Sequence, residues 1–321
     1  MKIATVLAAG RPVVTALGPA EQLVNVARLL SLPDLTVATL IADADRLLPK
    51  LAAALSEPVA AEAVLDSADI SWLAPQPHPS KIVGVAVNNS GIARFAYRQH
   101  VEPAYFLKPP SALTGHREPI VVPPDYGLTH PEPELAAIIG RRIKAAQPEQ
   151  ALEAIFGYTI INDITSPALK DRDSMELRLP SPVGADLTWR ETHGEKDSSL
   201  YLTYHARSKG SDTFAPMGPW ITTRDEVVDP NALAVDCWLD DELVVSDSTS
   251  KLTFPIQDVI AHLSNYMTLE PGDVVHFGTA VQPGANPKFP TLRHLDMSSL
   301  DGTLSVEITG LGRLDNPIAH E

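Results

Sequence analysis

The sequence predicts an α+β protein that is built mainly of short β-strands, with a small α/β part at its N-terminus. Most apolar runs are short and end at turns rich in Gly, Pro or Asp, which is typical of strands. Helical periodicity is confined to a few segments. The strands do not alternate regularly with helices, and neither G-x-G-x-x-G nor G-K-[ST] occurs, so a nucleotide-binding βαβ fold is not expected.

Composition excludes several classes of protein. The chain has 321 residues, of which 44% are hydrophobic, so a full core is expected. Its net charge of −15 and the lack of a Lys/Arg cluster argue against nucleic-acid binding. The only cysteine, Cys237, lies in an apolar run and is expected to be a buried thiol. The first residues predict a strand rather than a signal peptide, and no apolar run is long enough to span a membrane, so we expect a cytoplasmic protein.

The N-terminal part, residues 1–72, is predicted to be a small domain. Residues 2–8 and 13–17 form strands around a turn at Gly10-Arg11-Pro12, and residues 21–30 and 43–54 have the periodicity of amphipathic helices. Residues 73–81 contain several prolines and predict a linker. Residues 82–321 then form the larger domain.

The larger domain is predicted to be mostly strands. Residues 148–156 and 255–263 are its expected helices, and residues 166–207, rich in charge, Pro and Ser, are an expected insertion over one face of the sheet. Residue 209 is placed on a turn. The expected strands cover residues 82–87, 135–139, 158–161, 200–204, 231–239, 242–246, 274–277 and 303–309.

Three acidic residues flank two of the apolar strands. Glu132 and Glu134 are two residues apart, which places both carboxylates on one face of an extended chain, while Asp163 ends the next strand. Pro133 indicates a strand start or an edge. If the two strands are antiparallel neighbours, the three carboxylates converge, and unpaired carboxylates there would repel and raise one another's pKa. A divalent cation would relieve that repulsion. The alternative is a solvated acidic strand edge.

Seven stretches, in this order, resemble the fumarylacetoacetate hydrolase family over residues 79–317. They are PSKIVGVAVN (79–88), PAYFLKPPSAL (103–113), PEPELAAIIG (131–140), GYTIINDIT (157–165), SKGSDTFAPMGPW (208–220), LEPGDVVHFGT (269–279) and ITGLGRLDNP (308–317). The resemblance implies a mixed β-roll catalytic domain behind a small N-terminal domain, usually in a homodimer.

The resemblance also implies site residues. Mg²⁺ or Mn²⁺ would be held by Glu132, Glu134 and Asp163. Lys209 would lie near the metal and would serve both catalysis and substrate binding. Lys108 and Thr279 would be further substrate-binding residues. Family members act on 2-oxo acids and β-diketones by C–C hydrolysis, decarboxylation or isomerisation.

The chain departs from the family pattern where many members carry a His/Glu pair that activates water. Here the segment begins Asn88-Asn89-Ser90, and the position of the Glu is Phe95. The usual S-A-R-D-x-Q after the aspartate is also absent. We therefore assign the base to His100 with Glu102, and His130 is the second candidate.

Three functions follow as hypotheses. The first is a metal-dependent hydrolase of a C–C bond in a 2,4-dioxo acid. The second is a decarboxylase or isomerase of a 2-oxo diacid, which needs an enolate but no activated water, so the missing His/Glu pair favours it. The third is a member that binds a metal and an oxo acid without turnover.

Overall fold

The computed structural model describes residues 1–96, 99–178 and 199–320. It confirms the α+β class, with strands in three sheets. The strands are β1 (Lys2–Ala8), β2 (Arg11–Leu17), β3 (Leu23–Asn25), β4 (Ile70–Trp72), β5 (Ile82–Ala86), β6 (Ala104–Lys108), β7 (Leu113–Thr114), β8 (Ile120–Val121), β9 (Pro133–Ile139), β10 (Ile155–Asn162), β11 (Ser174–Arg178), β12 (Ser199–Thr203), β13 (Ala215–Thr223), β14 (Ala234–Leu239), β15 (Glu242–Ser248), β16 (Val274–His276), β17 (Thr303–Ile308) and β18 (Gly312–Ala319).

The helices are short, apart from two. They are α1 (Val26–Leu29), α2 (Val37–Ala42), α3 (Ala44–Ser56), α4 (Ser90–Ala93), α5 (Pro148–Glu153), α6 (Pro167–Arg172), α7 (Ala206–Gly210) and α8 (Ile256–Tyr266). Within the described ranges, no helix is long and apolar enough to cross a membrane.

The largest sheet has the strand order β3-β2-β1-β13-β10-β9-β16-β5-β6, with β4 on β1 and β7 on β13. A second sheet has the order β15-β14-β17-β18-β8, and β11 pairs with β12. The central strand β9 separates two cores. Leu135, Ala137 and Ile139 face one core, and Ala136 and Ile138 face the other. Because side chains alternate along a strand, a strand buried on both faces is a continuous apolar run.

The two cores have different partners. The first packs the large sheet against α8 and the second sheet, through residues such as Val259 and Val306. The other core packs the large sheet against α2 and α3, through Leu40, Leu47 and Leu51. Rigid strands buried in this way hold the ends of β9 and β10 in place.

The large sheet runs across the predicted linker. Strand β1 of the N-terminal part pairs antiparallel with β13 of the larger part, with Lys2 opposite Thr222. The segment 73–81 itself is partly packed: the Gln76 side chain donates to Gly272 O over 3.1 Å, and Thr5 donates to Pro75 O. The division into residues 1–72 and 82–321 stays a prediction, but the N-terminal strands share a sheet with the strands that carry the acids.

Several predicted elements are confirmed. The first hairpin is β1–β2, the predicted helix at 43–54 is α3, and the predicted hairpin around Asp240 is β14–β15. The predicted helix at 255–263 is α8. Cys237 is fully buried, and burial raises the pKa of its thiol to about 12.

Four element predictions were wrong in part. Residues 21–30 form a strand and a one-turn helix, because Asn25 pairs in β3 and its side chain caps α1. The helix predicted to end at residue 156 ends at Glu153. Gly157 lies inside β10, where a Cβ would come within 2.4 Å of Thr222 O, so the close strand approach requires a glycine. Lys209 lies on α7 rather than on a turn.

The fourth partial error concerns the C-terminus. Strand β18 was not predicted, since Asp, Asn and Pro weaken its β propensity. It forms because β17 pairs along it.

The predicted insertion, residues 166–207, contains regular structure: helix α6 and the β11–β12 hairpin. The predicted strand at 200–204 is β12, and residues 179–198 lie outside the described part.

Candidate active site

The predicted convergence of the acids begins with strand pairing. Strands β9 and β10 are antiparallel neighbours, with Asn162 opposite Pro133 and Ile161 opposite Glu134. Beyond the last pair, the Asp163 amide donates to Glu132 O over 2.8 Å. Pro133 opens β9, as predicted for a strand start. The three carboxylates therefore lie at one end of the sheet.

Asp163 is fully buried between two lysines. Lys108 Nζ lies 2.5 Å from Oδ1, and Lys209 Nζ lies 2.5 Å from Oδ2. Burial alone would raise the pKa of Asp163, but the two ammonium groups outweigh it and hold that pKa well below its usual range. Asp163 is thus a carboxylate at all ordinary pH values.

Lys209 is placed by α7 and has every ammonium donor occupied. Besides Asp163, it donates to Glu132 Oε2 over 2.9 Å and to Thr165 Oγ1 over 2.7 Å. Its Nζ also lies 4.7 Å above the Phe106 ring. Burial would lower its pKa, but Asp163 and Glu132 outweigh this and raise it. Lys209 is therefore a fixed positive charge rather than a base.

Lys108 comes from the end of the edge strand β6 and is fully buried. Burial lowers the pKa of Lys108, and the neighbouring Asp163 opposes that shift. The two predicted substrate-binding lysines therefore meet on opposite oxygens of a single carboxylate.

Glu134 is buried and is held by β16 and the turn after it. His276 Nδ1 lies 2.6 Å from Glu134 Oε2, and the Gly278 amide donates to the same oxygen over 2.8 Å. Burial raises the pKa of Glu134, and His276 opposes the rise. This carboxylate has no ammonium partner among the described residues, in contrast to Glu132 and Asp163.

The donor set fits a divalent cation. Three buried residues, Glu134, Asp163 and His276, each offer one possible ligand atom, and these three atoms all lie within 4.8 Å of one another. Carboxylate oxygens suit Mg²⁺ and Mn²⁺. Glu132 belongs to the same cluster through Lys209, which touches both it and Asp163. The predicted ligand set of Glu132, Glu134 and Asp163 stays a prediction.

The other predicted site residues are placed as follows. Thr279 is buried, and its hydroxyl donates to Ala280 O. His100 is exposed, and Glu102, 68% exposed in its side chain, lies 3.8 Å from His262 Nε2. His130 is buried beside the acids, where its backbone bridges to Thr165. Within the described contacts, neither His100 nor Glu102 touches the carboxylate cluster, so their assignment as the base stays a prediction.

His276 was missed at the level of sequence. A signal for it exists: it is the one polar side chain in an otherwise apolar strand, two residues before Gly278. A buried imidazole in such a position needs a partner, and the partner is a predicted metal ligand. The Lys108–Asp163 contact was also missed, because the two residues are 55 positions apart.

A family model described as fumarylacetoacetate (FAA) hydrolase C-terminal matches residues 81–319. The chain belongs to this family. The match begins where the predicted linker ends and includes every residue of the cluster. The family resemblance inferred from the seven stretches is therefore confirmed.

Relatives in the family carry out different reactions. A mitochondrial oxaloacetate tautomerase of Bos taurus is 31% identical over 231 residues, which are 71% of this chain and 64% of the relative. A maleylpyruvate hydrolase of Sphingobium sp. SYK-6, solved with manganese(II) and pyruvate, is 25% identical with a TM-score of 0.71, covering 100% of this chain and 99% of that one. A 5-carboxymethyl-2-hydroxymuconate delta-isomerase of Mycobacterium smegmatis is 26% identical with a TM-score of 0.66, covering 100% and 99%.

Proposed function

We propose that this protein is a divalent-cation-dependent enzyme that acts on a 2-oxo acid by stabilising its enolate. One observation carries the proposal: a fixed ammonium group, Lys209, is buried against two of the three acids, Glu132 and Asp163, at one end of the sheet. The manganese(II) and pyruvate in the Sphingobium hydrolase support both the cation and the substrate class.

A cation bound by the carboxylates would act as a Lewis acid toward the chelating oxygens of a 2-oxo acid. Lys209 adds a second positive charge at the place where the enolate oxygen develops. Its orientation is set in advance by Glu132, Asp163 and Thr165, so little reorganisation is needed during reaction. Burial strengthens this effect, because the surroundings of Lys209 screen charge less than water does.

Keto–enol tautomerisation or isomerisation of a 2-oxo diacid is the reaction we favour. It requires enolate stabilisation and a proton transfer but no activated water. The histidine and glutamate assigned as the water-activating base, His100 and Glu102, lie on exposed chain and make no described contact with Asp163. The bovine oxaloacetate tautomerase supports this choice. Decarboxylation of an oxo diacid would use the same enolate.

Hydrolysis of a C–C bond in a 2,4-dioxo acid is the second candidate. The similarity to the Sphingobium maleylpyruvate hydrolase extends over the whole chain and supports it. This reaction needs a base that activates water. Its leaving group is the same kind of enolate, so both candidates use Lys209 in the same way.

The test begins with calorimetric titration of Mg²⁺ and Mn²⁺ into metal-stripped protein, with and without oxalate as a bidentate mimic of the enolate. We expect binding that oxalate tightens and that Asp163→Ala abolishes. The metal-loaded protein is then assayed with two kinds of substrate. With enol oxaloacetate, the loss of the enol absorbance is measured; with a set of acylpyruvates, the release of pyruvate is measured. Lys209→Met should abolish turnover, while Lys288→Met, at an exposed lysine, should not.

The outcomes separate the hypotheses. Loss of enol absorbance without pyruvate release supports the tautomerase, pyruvate release from oxaloacetate supports a decarboxylase, and pyruvate release from an acylpyruvate supports the hydrolase. Oxalate-dependent metal binding without any of these activities means that the protein binds an oxo acid without turnover. If wild type binds neither ion at millimolar concentration, the proposed function is refuted.

A further inference from the structure

The two nitrogens of His276 have unequal surroundings. Nδ1 lies 2.6 Å from Glu134 Oε2, whereas Nε2 is buried and has no hydrogen-bond partner in the described structure. Nε2 faces Gly84, which is directly opposite His276 in the β5–β16 pair. A Cβ at Gly84 would lie 2.6 Å from Nε2, so only a glycine leaves room for the imidazole. The Phe106 ring closes the same side, with ring centroids 5.5 Å apart.

These surroundings select the tautomer of the neutral imidazole. A proton on Nε2 would be a buried N–H with no acceptor, which costs free energy. A proton on Nδ1 is instead donated to Glu134 Oε2. The Gly278 amide donates to that same oxygen, so Oε2 has two donors. Among the described residues nothing donates to Oε1.

We propose that His276 is a positioning residue for the cation site: it holds Glu134 through Oε2 and leaves Oε1 as the oxygen that would serve a cation. This inference rests on the proposed function, because it presumes that Glu134 is a ligand. Although His276 lies in the same buried group as Glu134 and Asp163, it is then not itself a ligand, since Nδ1 is committed to Glu134 and Nε2 is turned toward Gly84. The Gly84–His276 pair thus sets the geometry of an acid on the neighbouring strand β9.

Mn²⁺ binding tests the proposal without any substrate. Wild type, His276→Leu and His276→Asn are titrated with Mn²⁺ by calorimetry. Loss of a partner that orients a metal ligand weakens binding on the order of 10–100-fold, and this is the loss we expect for His276→Leu. Asn carries an N–H close to the position of Nδ1, so His276→Asn should bind Mn²⁺ within about threefold of wild type. Urea unfolding of each variant checks that it is folded.

Pulsed electron paramagnetic resonance of Mn²⁺ in wild type gives a second measurement that needs no variant to fold. We expect no nitrogen coupling from a directly bound imidazole. Such a coupling in protein with ¹⁵N-labelled histidine would show a histidine ligand and overturn the positioning role. Equal Mn²⁺ affinity of wild type and His276→Leu would also overturn it. If wild type binds no Mn²⁺, the proposed function itself fails, so the two failures are distinguishable.

Discussion

The buried Lys108–Asp163 pair allows a quantitative prediction about stability. Both side chains are fully buried, with 2.5 Å between Nζ and Oδ1. At an effective dielectric constant of about 20, two unit charges at that distance attract by about 7 kcal/mol, which is a ceiling because desolvation offsets part of it. Removing one partner of a buried pair costs about 3–5 kcal/mol. Because Asp163 keeps Lys209, we expect Lys108→Met to lower the free energy of unfolding by about 3 kcal/mol.

The double variant separates charge from packing. Asp163→Asn leaves Lys108 buried without a carboxylate and should cost about as much as Lys108→Met. With both changes, the remaining charges in the ion-pair network, Lys209 and Glu132, balance each other. The double variant should therefore lose clearly less than the sum of the single variants, which is the signature of a coupled pair.

Urea unfolding at neutral pH with a chelator present measures these free energies. Lys288→Met is the matched control, because its partner Glu242 lies 3.2 Å away and both side chains are about half exposed. A pair of that kind contributes at most about 1 kcal/mol. The reasoning would be refuted if Lys108→Met lost no more than this control, or if the double variant lost the full sum.

Three further predictions concern other buried groups. Burial lowers the pKa of His116 from 6.5 to about 4, so between these pH values His116 binds more protons in the unfolded protein than in the folded one. The free energy of unfolding should therefore fall as the pH drops from 6.5 to about 4, by up to about 3 kcal/mol. His116→Asn keeps an acceptor for the Asp315 amide and should flatten that part of the urea-unfolding profile against pH; an unchanged slope would contradict this. Gly84→Ala should weaken Mn²⁺ binding in calorimetry, because the added Cβ displaces His276, and wild-type affinity would show that the imidazole tolerates the methyl group. Cys237 should resist iodoacetamide in the native protein and react in urea, as mass spectrometry can show, and rapid native labelling would mean that its strand opens readily.

Much of the fold follows from local pattern, and the errors have local causes as well. The apolar run of β9 and the turn before β15 are evident without a structure. The predicted helix at 21–30 failed because apolar spacing over a few residues fits either a helix or a strand, and pairing with β2 decided for the strand. Gly157 resembled a helix end, but its neighbour across the sheet explains its presence in β10.

The candidate site divides in the same way. Glu132, Glu134 and Asp163 could be chosen from sequence because each borders an apolar strand, where a carboxylate rarely lies without a partner. Their convergence required one assumption, that β9 and β10 are antiparallel neighbours, which the structure confirms. The base assigned to His100 with Glu102 stays a prediction, since both residues lie on exposed chain and make no described contact with the acids.

By itself, the sequence determined the α+β class, the family and the three acids, because these depend on residue type and on spacing over a few positions. Only the tertiary structure decided which groups surround those acids. Lys108 meets Asp163, and His276 meets Glu134, across 55 and 142 positions of chain. Such contacts depend on strand order and register in the large sheet. Pairing of β16 with both β5 and β9 is what brings Gly84, His276 and the acids to one place.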